Sequence, residues 1–596
     1  MTGGALTDAL GVVTERRFDR LGRLLQLIED AAGTSGSPTY RTTTTYGYNG
    51  AVQTSLQDHD NNETRYTYDR LLRLVRVEYP DSTNPNDSVR YAYGDPNGAS
   101  EVVTRIDQRG VATTYTRDRL GHLIARDYAD GYEDFYYDRS GRLLMADKWA
   151  GTPPGNVLAS RLALAHDGHG RLTSAAQTYG PALGGDPNSV YSVSYAYDRG
   201  TPQNPFSTQA ITYPTGRQVT RTYDFRARLE SVLDNTAAPG PVGVSWSYDA
   251  ADRRIGADLG NGVLTDYAYD LASRLLSVDH FVALGGGVPP AMSLHAQEYG
   301  YDAVGNRLWK RDLVRSDHSE VYAYDALHRL TRMDRGVLAF TGGGQAYIQT
   351  PLNDARRPNY QSWRQDPNGP GLDRRGNWLW HATRVGDPNL PAAEGTRTLP
   401  AGGAAGTGGK ANEYGRVQLV AAGQVIDHDL AYDAAGNLTR VDVVGDLNCD
   451  GVVNYDDLEA LQLALYGPAA YAQAYPDCRW LLGDVNGDGN VTFDDIDYWA
   501  ALLGTSAIAA DRYEYDSENR LAAVRGADGV LKLRLWYDAL GRRILSAEYD
   551  PSGAPVKTTR HIYDGLATIV EYECAAAQAR IAVDDRRQPV VDVPRR

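Results

Sequence analysis

Tyr136-Tyr137-Asp138-Arg139-Ser140-Gly141-Arg142-Leu143-Leu144 is the stretch around which this sequence is organised. Close copies occupy residues 18–24, 301–308 and 432–438. Further copies are centred on Tyr68-Asp69, Tyr197-Asp198, Tyr223-Asp224, Tyr248-Asp249, Tyr269-Asp270, Tyr324-Asp325, Tyr515-Asp516 and Tyr537-Asp538. Recurrence at intervals of roughly 20–50 residues is typical of a repeat architecture.

Each copy has the residue order of a β-hairpin. Tyrosines alternate before the aspartate, as at Tyr267 and Tyr269, and a period of two places both rings on one face of a strand. The aspartate carboxylate can accept hydrogen bonds from nearby backbone amides and open a turn, and glycine then adopts a positive φ at low cost. A second alternating run follows, as in Arg73-Leu74-Val75-Arg76-Val77. Since one hairpin is marginal in water, we expect neighbouring copies to pack together.

The signature Tyr-Asp-x-x-Gly-Arg-Leu resembles the YD repeat of RHS proteins, wall-associated toxins and teneurins. The resemblance covers residues 1 to about 440 and again about 511 to 572. It implies a mainly β fold in which antiparallel hairpins form a long sheet that spirals into a hollow shell. The alternative is an ordinary β-sandwich with tyrosine-rich strands.

Composition narrows the function classes. The chain has 41 Tyr against 7 Phe, which suits half-hydrated sheet faces better than a dry core. A formal charge of −16 argues against non-specific binding to nucleic acid or to anionic membranes. No apolar run reaches the length of a transmembrane helix, so we expect no membrane span.

The repeats also suggest the domain organisation. We assign residues 1–445 to repeats, with a looser Gly/Pro-rich part at 341–412, and residues 505–572 to resumed repeats. We expect the polar tail, residues 573–596, to be poorly ordered. The chain lacks a secretory signal and is already within a repeat by residue 18, so we interpret its start as a cut through a longer array. The expected location is extracellular or at the cell surface.

Two acidic dodecamers interrupt the repeats at residues 446–457 and 484–495. Each places side-chain oxygens at loop positions 1, 3, 5, 9 and 12 and glycine at position 6, the layout by which a wrapped loop holds calcium. Position 7 would contribute a backbone carbonyl, and position 9 could act through water. The predicted ligands of two calcium ions are Asp446, Asn448, Asp450, Val452, Asn454 and Asp457, and then Asp484, Asn486, Asp488, Asn490, Thr492 and Asp495.

Each loop leads directly into a predicted helix. Leu458, Leu461 and Leu465 share one helical face after the first loop, and Gly467-Pro468 ends that helix. Ile496, Trp499 and Leu503 repeat the pattern after the second loop. The two acidic turns could alternatively be solvated loops without a metal.

This tandem of loop and exit helix resembles a type I dockerin over residues 446–504. The resemblance implies a cohesin-like protein partner, which would contact loop positions 10 and 11 and the helix behind them. Those positions are Tyr455, Asp456, Phe493 and Asp494, whereas cellulosome dockerins usually have small hydroxyl residues there. The alternative for Tyr455 and Phe493 is local packing over the calcium loops.

Two of the three cysteines lie within this segment. Cys449 is in the first loop and Cys478 lies just before the second, so we predict a disulfide between them. It would close a loop of about 30 residues and could contribute roughly 3 kcal/mol to stability. Two separate buried thiols are the alternative.

No sequence motif for catalysis is found. The chain lacks the His-Glu-x-x-His, Gly-x-Ser-x-Gly and dinucleotide patterns, so we expect a protein that is not an enzyme. The favoured function is a cell-surface or secreted scaffold that binds calcium and docks a protein partner. One alternative is a truncated carrier shell of an RHS-type toxin. Another is a component of a polysaccharide-degrading assembly, with a glycan bound on the tyrosine-rich face.

Overall fold

The computed structural model describes most of the chain. The described residues are 2–29, 42–58, 61–80, 88–94, 101–151, 156–183, 190–198, 208–237, 242–282, 292–325, 327–354, 356–362, 364–365, 369–370, 380–385, 388–389, 392–398, 416–421, 424–476, 478–486, 490–503, 511–564 and 567–575.

Strands dominate the described residues. In the first part of the chain they are β1 Thr2–Thr7, β2 Val13–Phe18, β3 Leu24–Glu29, β4 Thr42–Asn49, β5 Val52–Gln57, β6 Glu63–Tyr68, β7 Leu74–Glu78, β8 Ser88–Tyr93, β9 Val102–Ile106, β10 Ala112–Arg117, β11 Leu123–Tyr128, β12 Gly131–Tyr137, β13 Leu143–Ala150, β14 Val157–His166, β15 Leu172–Tyr179 and β16 Val190–Tyr197. The central strands are β17 Thr208–Thr212, β18 Gln218–Tyr223, β19 Leu229–Asp234, β20 Val242–Tyr248, β21 Arg254–Asp258, β22 Val263–Tyr269, β23 Leu275–Val282, β24 Met292–Tyr301, β25 Arg307–Asp312, β26 Ser319–Tyr324, β27 Leu330–Phe340, β28 Ala346–Pro351 and β29 Pro358–Ser362.

The later strands flank and follow a short helical region. They are β30 Arg364–Gln365, β31 Gly369–Pro370, β32 Trp380–Val385, β33 Ala393–Thr398, β34 Arg416–Ala421, β35 Gln424–Tyr432, β36 Leu438–Val443, β37 Arg512–Tyr515, β38 Leu521–Arg525, β39 Leu531–Tyr537, β40 Arg543–Tyr549, β41 Pro555–Asp564 and β42 Ala567–Ala575. The helices are α1 Leu458–Tyr466, α2 Pro468–Ala474 and α3 Ile496–Leu502, with 3-10 turns at Pro181–Leu183, Ser316–His318, Tyr455–Asp457, Trp480–Gly483 and Phe493–Asp495.

Strand pairing is antiparallel and mostly joins neighbours in sequence, which builds a long antiparallel sheet. The predicted mainly β hairpin array with a small helical insertion is therefore confirmed. Strand β42 extends to Ala575, three residues into the segment predicted as a tail, and residues 576–596 lie outside the described part. Within the described residues, no helix combines the length and apolarity needed to cross a membrane.

The chain divides into two compact units. One comprises Met1–Tyr46, Arg171–Ser174 and Ser192–Thr396, and the other comprises Gly47–Gly170, Ala175–Tyr191 and Arg397–Arg596. The looser region predicted at 341–412 contains β28 to β33 in its described residues. The low-complexity stretch at 401–410 lies outside them.

One repeat turn shows why the sequence motif has its form. The Asp270 amide donates to the Arg274 carbonyl at 3.0 Å, and the Asp270 carboxylate accepts the Arg274 amide at 2.9 Å and its Nε at 2.6 Å. These two bonds from Arg274 hold the pKa of Asp270 below its ordinary value. The guanidinium then lies 5.0 Å from the Tyr301 ring of the next repeat and donates to the Asp302 carbonyl at 2.7 Å. The Tyr301 hydroxyl donates back to the Leu275 carbonyl at 2.8 Å.

We call this recurring arrangement the arginine–tyrosine ladder. Its other stacked pairs are Arg73 on Tyr93, Arg171 on Tyr197, Arg228 on Tyr248, Arg253 on Tyr269, Arg520 on Tyr537 and Arg542 on Tyr563. Each exposed or half-buried contact is weak, about 0.5–1 kcal/mol for a cation–π pair. The same contact recurs between successive hairpins and adds to the strand pairing that joins them.

The left-handed turn position does not always hold glycine. Gly22 and Gly141 adopt φ of 78°, but Leu72 and Ala227 adopt φ of 61° at the equivalent place. A left-handed residue with a Cβ costs about 1–2 kcal/mol. The hydrogen bonds that close the hairpin therefore outweigh the local preference.

Buried polar networks add to the weak repeat contacts. In the first unit, Glu320 is nearly buried and accepts hydrogen bonds from Tyr322 and from Arg335, and it pairs with Lys310 at 2.9 Å. Burial alone would raise the pKa of Glu320, but these partners outweigh it and leave the pKa below the ordinary value.

In the second unit, the Tyr179 side chain forms hydrogen bonds to segments that are distant in sequence. Its hydroxyl lies 3.2 Å from the Ile544 carbonyl and 3.1 Å from the His561 carbonyl, and it accepts a hydrogen bond from Gln177 at 2.8 Å. The ring is 2% exposed, so burial raises the pKa of Tyr179. A buried hydroxyl with all its partners present helps to specify one packing of these strands.

The helical region is an insertion between two paired strands. Strands β36 and β37 pair with each other although about seventy residues separate them in sequence. The Val441 amide donates to the Asp511 carbonyl at 3.0 Å, and the Tyr515 hydroxyl donates to the Leu438 carbonyl at 3.0 Å. Strand pairing therefore continues directly from β36 to β37, on either side of the insertion.

Candidate functional site

In the first acidic loop, the position-1 carboxylate accepts hydrogen bonds from backbone amides of the same loop. Asp446 accepts hydrogen bonds from the Asp450 amide at 3.1 Å and from the Gly451 amide at 2.8 Å. Cys449 and Gly451, at positions 4 and 6, adopt left-handed φ of 59° and 94°. These two residues turn the backbone sharply around the Asp446 carboxylate.

The position-12 carboxylate closes the same loop. Asp457 is fully buried and accepts hydrogen bonds from the amides of Leu447 at 2.8 Å, Asn448 at 2.9 Å and Asn454 at 2.9 Å. The Asn454 side chain in turn accepts the Asp456 amide, which forms a capping box before α1. Positions 9 and 12 therefore cap the 3-10 turn that leads into α1 and also close the loop.

The second loop repeats this geometry. Asp495 is fully buried and accepts the amides of Val485 at 2.9 Å, Asn486 at 3.1 Å and Thr492 at 2.9 Å. Thr492 caps the turn before α3 as Asn454 does before α1. Asp484 is 8% exposed. The predicted ligand Asp488 lies outside the described residues.

The electrostatics of the first loop fit a bound cation. Asp446 is 2% exposed, and burial, with further contributions from the charges of Asp457 and Asp450, raises its pKa to about 7. Burial also raises the pKa of Asp457, and the Asp450 charge adds to that effect. Within the described residues, none of these three carboxylates pairs with Lys or Arg. A divalent ion would supply the missing countercharge.

The carboxylates are not gathered around one point. Among the described residues, no group of three or more His, Cys, Asp or Glu side chains is close enough to hold a metal ion. In the first loop, Asp446 and Asp457 turn toward backbone amides. The ligand predicted at Asn448 is a side-chain amide oxygen, and those at Val452 and Asn490 are backbone carbonyls. These oxygens are not among the four side-chain types just considered. The calcium assignment therefore remains a prediction.

A small core supports the two loops. The buried residues are Val443, Leu447, Val453, Ala460, Leu461, Ala464, Tyr471, Leu482, Val491 and Trp499. The Trp499 indole donates to the Gly445 carbonyl at 2.8 Å, and the Tyr471 hydroxyl donates to the Leu447 carbonyl at 2.6 Å. Tyr471 belongs to α2, a helix that the sequence pattern did not predict. Leu458 is largely exposed, so α1 buries its alanines and Leu461 instead.

The cysteine pair joins this core to the first loop. The structure places Cys449 and Cys478 in a disulfide, with Cα atoms 6.0 Å apart and a separation of 29 positions in sequence. That Cα separation is within the usual range for such bonds. Both residues are half-buried.

The insertion is held against neighbouring repeats of the same unit. Arg479 pairs with Asp429 of β35 at 2.6 Å. Arg416 of β34 donates to the carbonyls of Asp484 and Val485, both at 3.2 Å. The start of the second loop is therefore anchored by a strand of the sheet.

The residues predicted to face a partner are exposed. Tyr455 is 72% exposed and Phe493 is 77% exposed, and Asp456 and Asp494 beside them are exposed too. Local packing over the loops would have buried the two rings. Large exposed aromatic side chains at equivalent positions of both loops suit a docking surface.

The arrangement defines an antiparallel hairpin-repeat fold with an inserted pair of acidic loops. No family model matches the sequence, and no curated protein matches it. Among solved structures, the TcdB2–TccC3–TEV crystal structure is similar, with 16% identity and a TM-score of 0.50 over 96% of this chain and 28% of that chain. The TcdB2–TccC3 crystal structure and the structure of the Photorhabdus luminescens Tc holotoxin pore also match this chain.

The TcdB2–TccC3 match has 15% identity and a TM-score of 0.49 over 95% of this chain and 28% of that chain. The holotoxin pore match has 14% identity and a TM-score of 0.48 over 95% of this chain and 25% of that chain. This chain therefore spans about a quarter of the length of the structures that it resembles. At these identities, the first similarity shows the fold alone.

Proposed function

We propose that the repeats form part of the wall of an RHS-type carrier shell and have no catalytic role. The observation that carries this proposal is the fold similarity to the TcdB2–TccC3–TEV structure, which covers 96% of this chain. The arginine–tyrosine ladder supports it physically, because it links successive hairpins side by side along the sheet without requiring a dry core. In this proposal the wall would enclose cargo.

A protection assay tests the carrier function. A small protease-sensitive reporter is fused after Arg596 and exposed to trypsin, alone and as part of the fusion. The reporter should be cleaved at least about tenfold more slowly in the fusion, because proteolysis requires an open form of the substrate. A matched fusion with Arg520→Met and Arg542→Met, which weakens the ladder, should lose protection. Equal cleavage of free and fused reporter would contradict the proposal.

We further propose that residues 446–504 bind two calcium ions and dock a protein partner. The support for calcium is the ligand spacing of both loops and the buried carboxylates Asp446 and Asp457 of the first loop, neither of which pairs with Lys or Arg within the described residues. When bound, calcium would neutralise the loop carboxylates. The support for docking is the exposure of Tyr455 and Phe493, and the partner class suggested by the dockerin resemblance is a cohesin-like protein.

Surface plasmon resonance with a panel of cohesin domains tests the docking proposal. Binding should require calcium and should fall at least about tenfold in a Tyr455→Ala, Phe493→Ala double variant, because central aromatic side chains dominate interface energies. Phe225→Ala is the matched control, since Phe225 is 75% exposed but lies in a repeat turn outside residues 446–504. Equal losses in both variants, or no binding to any cohesin, would refute the proposed partner class.

A further inference from the structure

Five repeat turns of the first unit lie side by side along one edge of its sheet. Each is closed by the same backbone hydrogen bond, and they span residues 249–253, 270–274, 302–306, 325–329 and 8–12. Side chains join each turn to the next. Arg253 donates to the Asp270 carbonyl at 3.0 Å, and Arg274 donates to the Asp302 carbonyl at 2.7 Å.

A histidine completes this series of contacts. The ring nitrogens of His328 lie 3.2 Å from the Asn306 side-chain nitrogen and 3.0 Å from the Asp8 carboxylate. The turn at 8–12 therefore lies beside the turn at 325–329, although more than three hundred residues separate them. Successive turns are two strands apart, or about 10 Å, so the five turns extend over about 40 Å.

The tips of these five turns are apolar. The first two residues after each aspartate, where the structure describes them, are Ala250, Ala251, Leu271, Ala272, Ala303, Val304, Leu327, Ala9 and Leu10. We call these nine residues the apolar turn row. All but Val304 and Leu327 are exposed, and Leu271 is fully exposed. The next turn, at 224–228, carries the charged Arg226, so the row is taken to end before it. A continuous exposed apolar strip of this kind marks an interaction surface.

Few charges project from the apolar turn row. The Asp302 carboxylate, for example, accepts the amides of Gly305 and Asn306, both at 2.8 Å. Asp252, at one end, pairs with Arg228 at 2.8 Å. The first unit as a whole has 27 Lys and Arg and 27 Asp and Glu, so its formal charge is zero. Two copies of this row can therefore meet without like charges facing each other.

The second unit shows what covers repeat turns in this fold. Ala539, at the tip of the turn 538–542, is 3% exposed and packs with Phe135 and Ala146. Arg126 donates to the Ala539 carbonyl at 3.2 Å. The residues that cover this tip belong to hairpins about four hundred positions earlier in the chain.

The neighbouring turn 516–520 is covered by the same part of the sheet, where Arg109 donates to the Asp516 carbonyl at 3.1 Å. Repeat turns are therefore surfaces on which other hairpins of this class pack. Ala303 occupies the same place in its turn as Ala539 does, yet Ala303 is exposed. The apolar turn row thus has the chemistry of a covered row without the cover.

We propose that the apolar turn row binds the same row of a second copy of this chain. The contact is isologous, so it joins two sheets edge to edge around a two-fold axis and stops at a dimer. A sheet is about 10 Å thick, which gives a footprint of about 400 Å² per copy. Contacts of that size are weak, so the dissociation constant should be roughly 10–100 μM. Neither calcium nor cargo takes part.

Sedimentation equilibrium of the full chain, in a Cys574→Ser background, tests the proposal over about 5–500 μM protein. Leu271→Glu places a charge in the contact and should raise the dissociation constant at least about tenfold, because a buried charge without a partner is unfavourable. Leu21→Glu is the matched control. Leu21 is 78% exposed, but its turn follows β2, whereas the turn at 8–12 precedes β2, so it lies at the opposite edge. The control should dimerise like the parent, within about twofold.

Circular dichroism melting verifies that each variant is folded, and Ala272→Glu replaces Leu271→Glu if the latter does not fold. A reversible dimer that is weakened by the row variant and not by Leu21→Glu supports the proposal. A parent protein that stays monomeric at every concentration overturns it, and so does association that continues beyond a dimer. A dimer that Leu271→Glu leaves unchanged, or that Leu21→Glu weakens equally, also overturns it.

Discussion

The arginine–tyrosine ladder predicts a large local loss of stability when its arginine is removed. Arg520 donates from Nε to Asp516 at 2.8 Å and pairs with Glu518 at 2.5 Å, and its guanidinium lies 4.5 Å from the Tyr537 ring. Its side chain is 17% exposed. Hydrogen bonds to charged groups contribute about 1.5–3 kcal/mol and the stacked ring about 0.5–1 kcal/mol. Arg520→Met keeps the aliphatic stem and should cost about 2–4 kcal/mol.

Hydrogen-exchange mass spectrometry measures this loss as the free energy of local opening of β37 to β40. Arg65→Met is the matched control, because Arg65 pairs with Glu63 at 2.8 Å but is 66% exposed. An exposed pair of that kind should cost only about 0–0.5 kcal/mol. Tyr537→Phe keeps the ring but removes its hydrogen bond to the Leu521 carbonyl, and should cost about 1 kcal/mol. If Arg520→Met costs no more than Arg65→Met, the ladder does not hold the repeats together.

Three further outcomes follow from single residues. Tyr179→Phe leaves a buried amide and two carbonyls without their hydroxyl partner, so the opening free energy of β40 and β41 should fall by about 1–3 kcal/mol; an unchanged exchange rate would contradict this. Glu320 has a lowered folded pKa, so its contribution is complete above its ordinary value of 4.5 and is lost as pH falls through the folded value. In urea unfolding, the difference between wild type and Glu320→Gln should therefore shrink from pH 7 to pH 3, and a constant difference would exclude this linkage. Both Gly22 and Ala227 adopt a left-handed backbone, so Ala227→Gly should be neutral or stabilising and Gly22→Ala should cost about 1–2 kcal/mol. Equal effects of the two substitutions on the urea midpoint of unfolding would count against the turn analysis.

Much of the fold could be predicted from the sequence because the signal is local. The aspartate turns, the positive φ at glycine and the alternation of tyrosines are all properties of a single hairpin. Repetition of one hairpin then implies the sheet. The sequence also shows the arginine of the motif, but it does not show which residues that arginine contacts. It contacts a tyrosine one repeat later, and that contact exists only in three dimensions.

Other features escaped prediction for the same reason. Leu72 in a left-handed turn contradicts its own preference, and only the closed hairpin explains it. The contact of Tyr179 with Ile544 joins residues more than three hundred positions apart. Helix α2 has a short alanine-rich sequence without a clear apolar period. Its Tyr471 is buried in the small core, where its hydroxyl donates to the Leu447 carbonyl of the first loop.

The acidic loops were predicted by residue type and spacing, and the structure adds the backbone wrap of the first loop. Asp446 at position 1 and both position-12 carboxylates accept backbone amides of their own loops. A capping box closes the 3-10 turn that precedes each exit helix. The sequence pattern could not reveal that the position-12 carboxylates also accept three backbone amides. A bound ion would have to share those oxygens with the amides, which makes calcium affinity a direct test of the assignment.

Calorimetric titration of the oxidised full chain with calcium chloride is that test. Two ions should bind to the wild type, and Asp450→Ala and Asp488→Ala should each reduce the stoichiometry to one, because each removes the position-5 ligand of one loop. Asp456→Ala, at an exposed position that the loop pattern does not assign to the ion, should still bind two. Wild-type protein that takes up no calcium, or an Asp450→Ala variant that still binds two ions, would contradict the account.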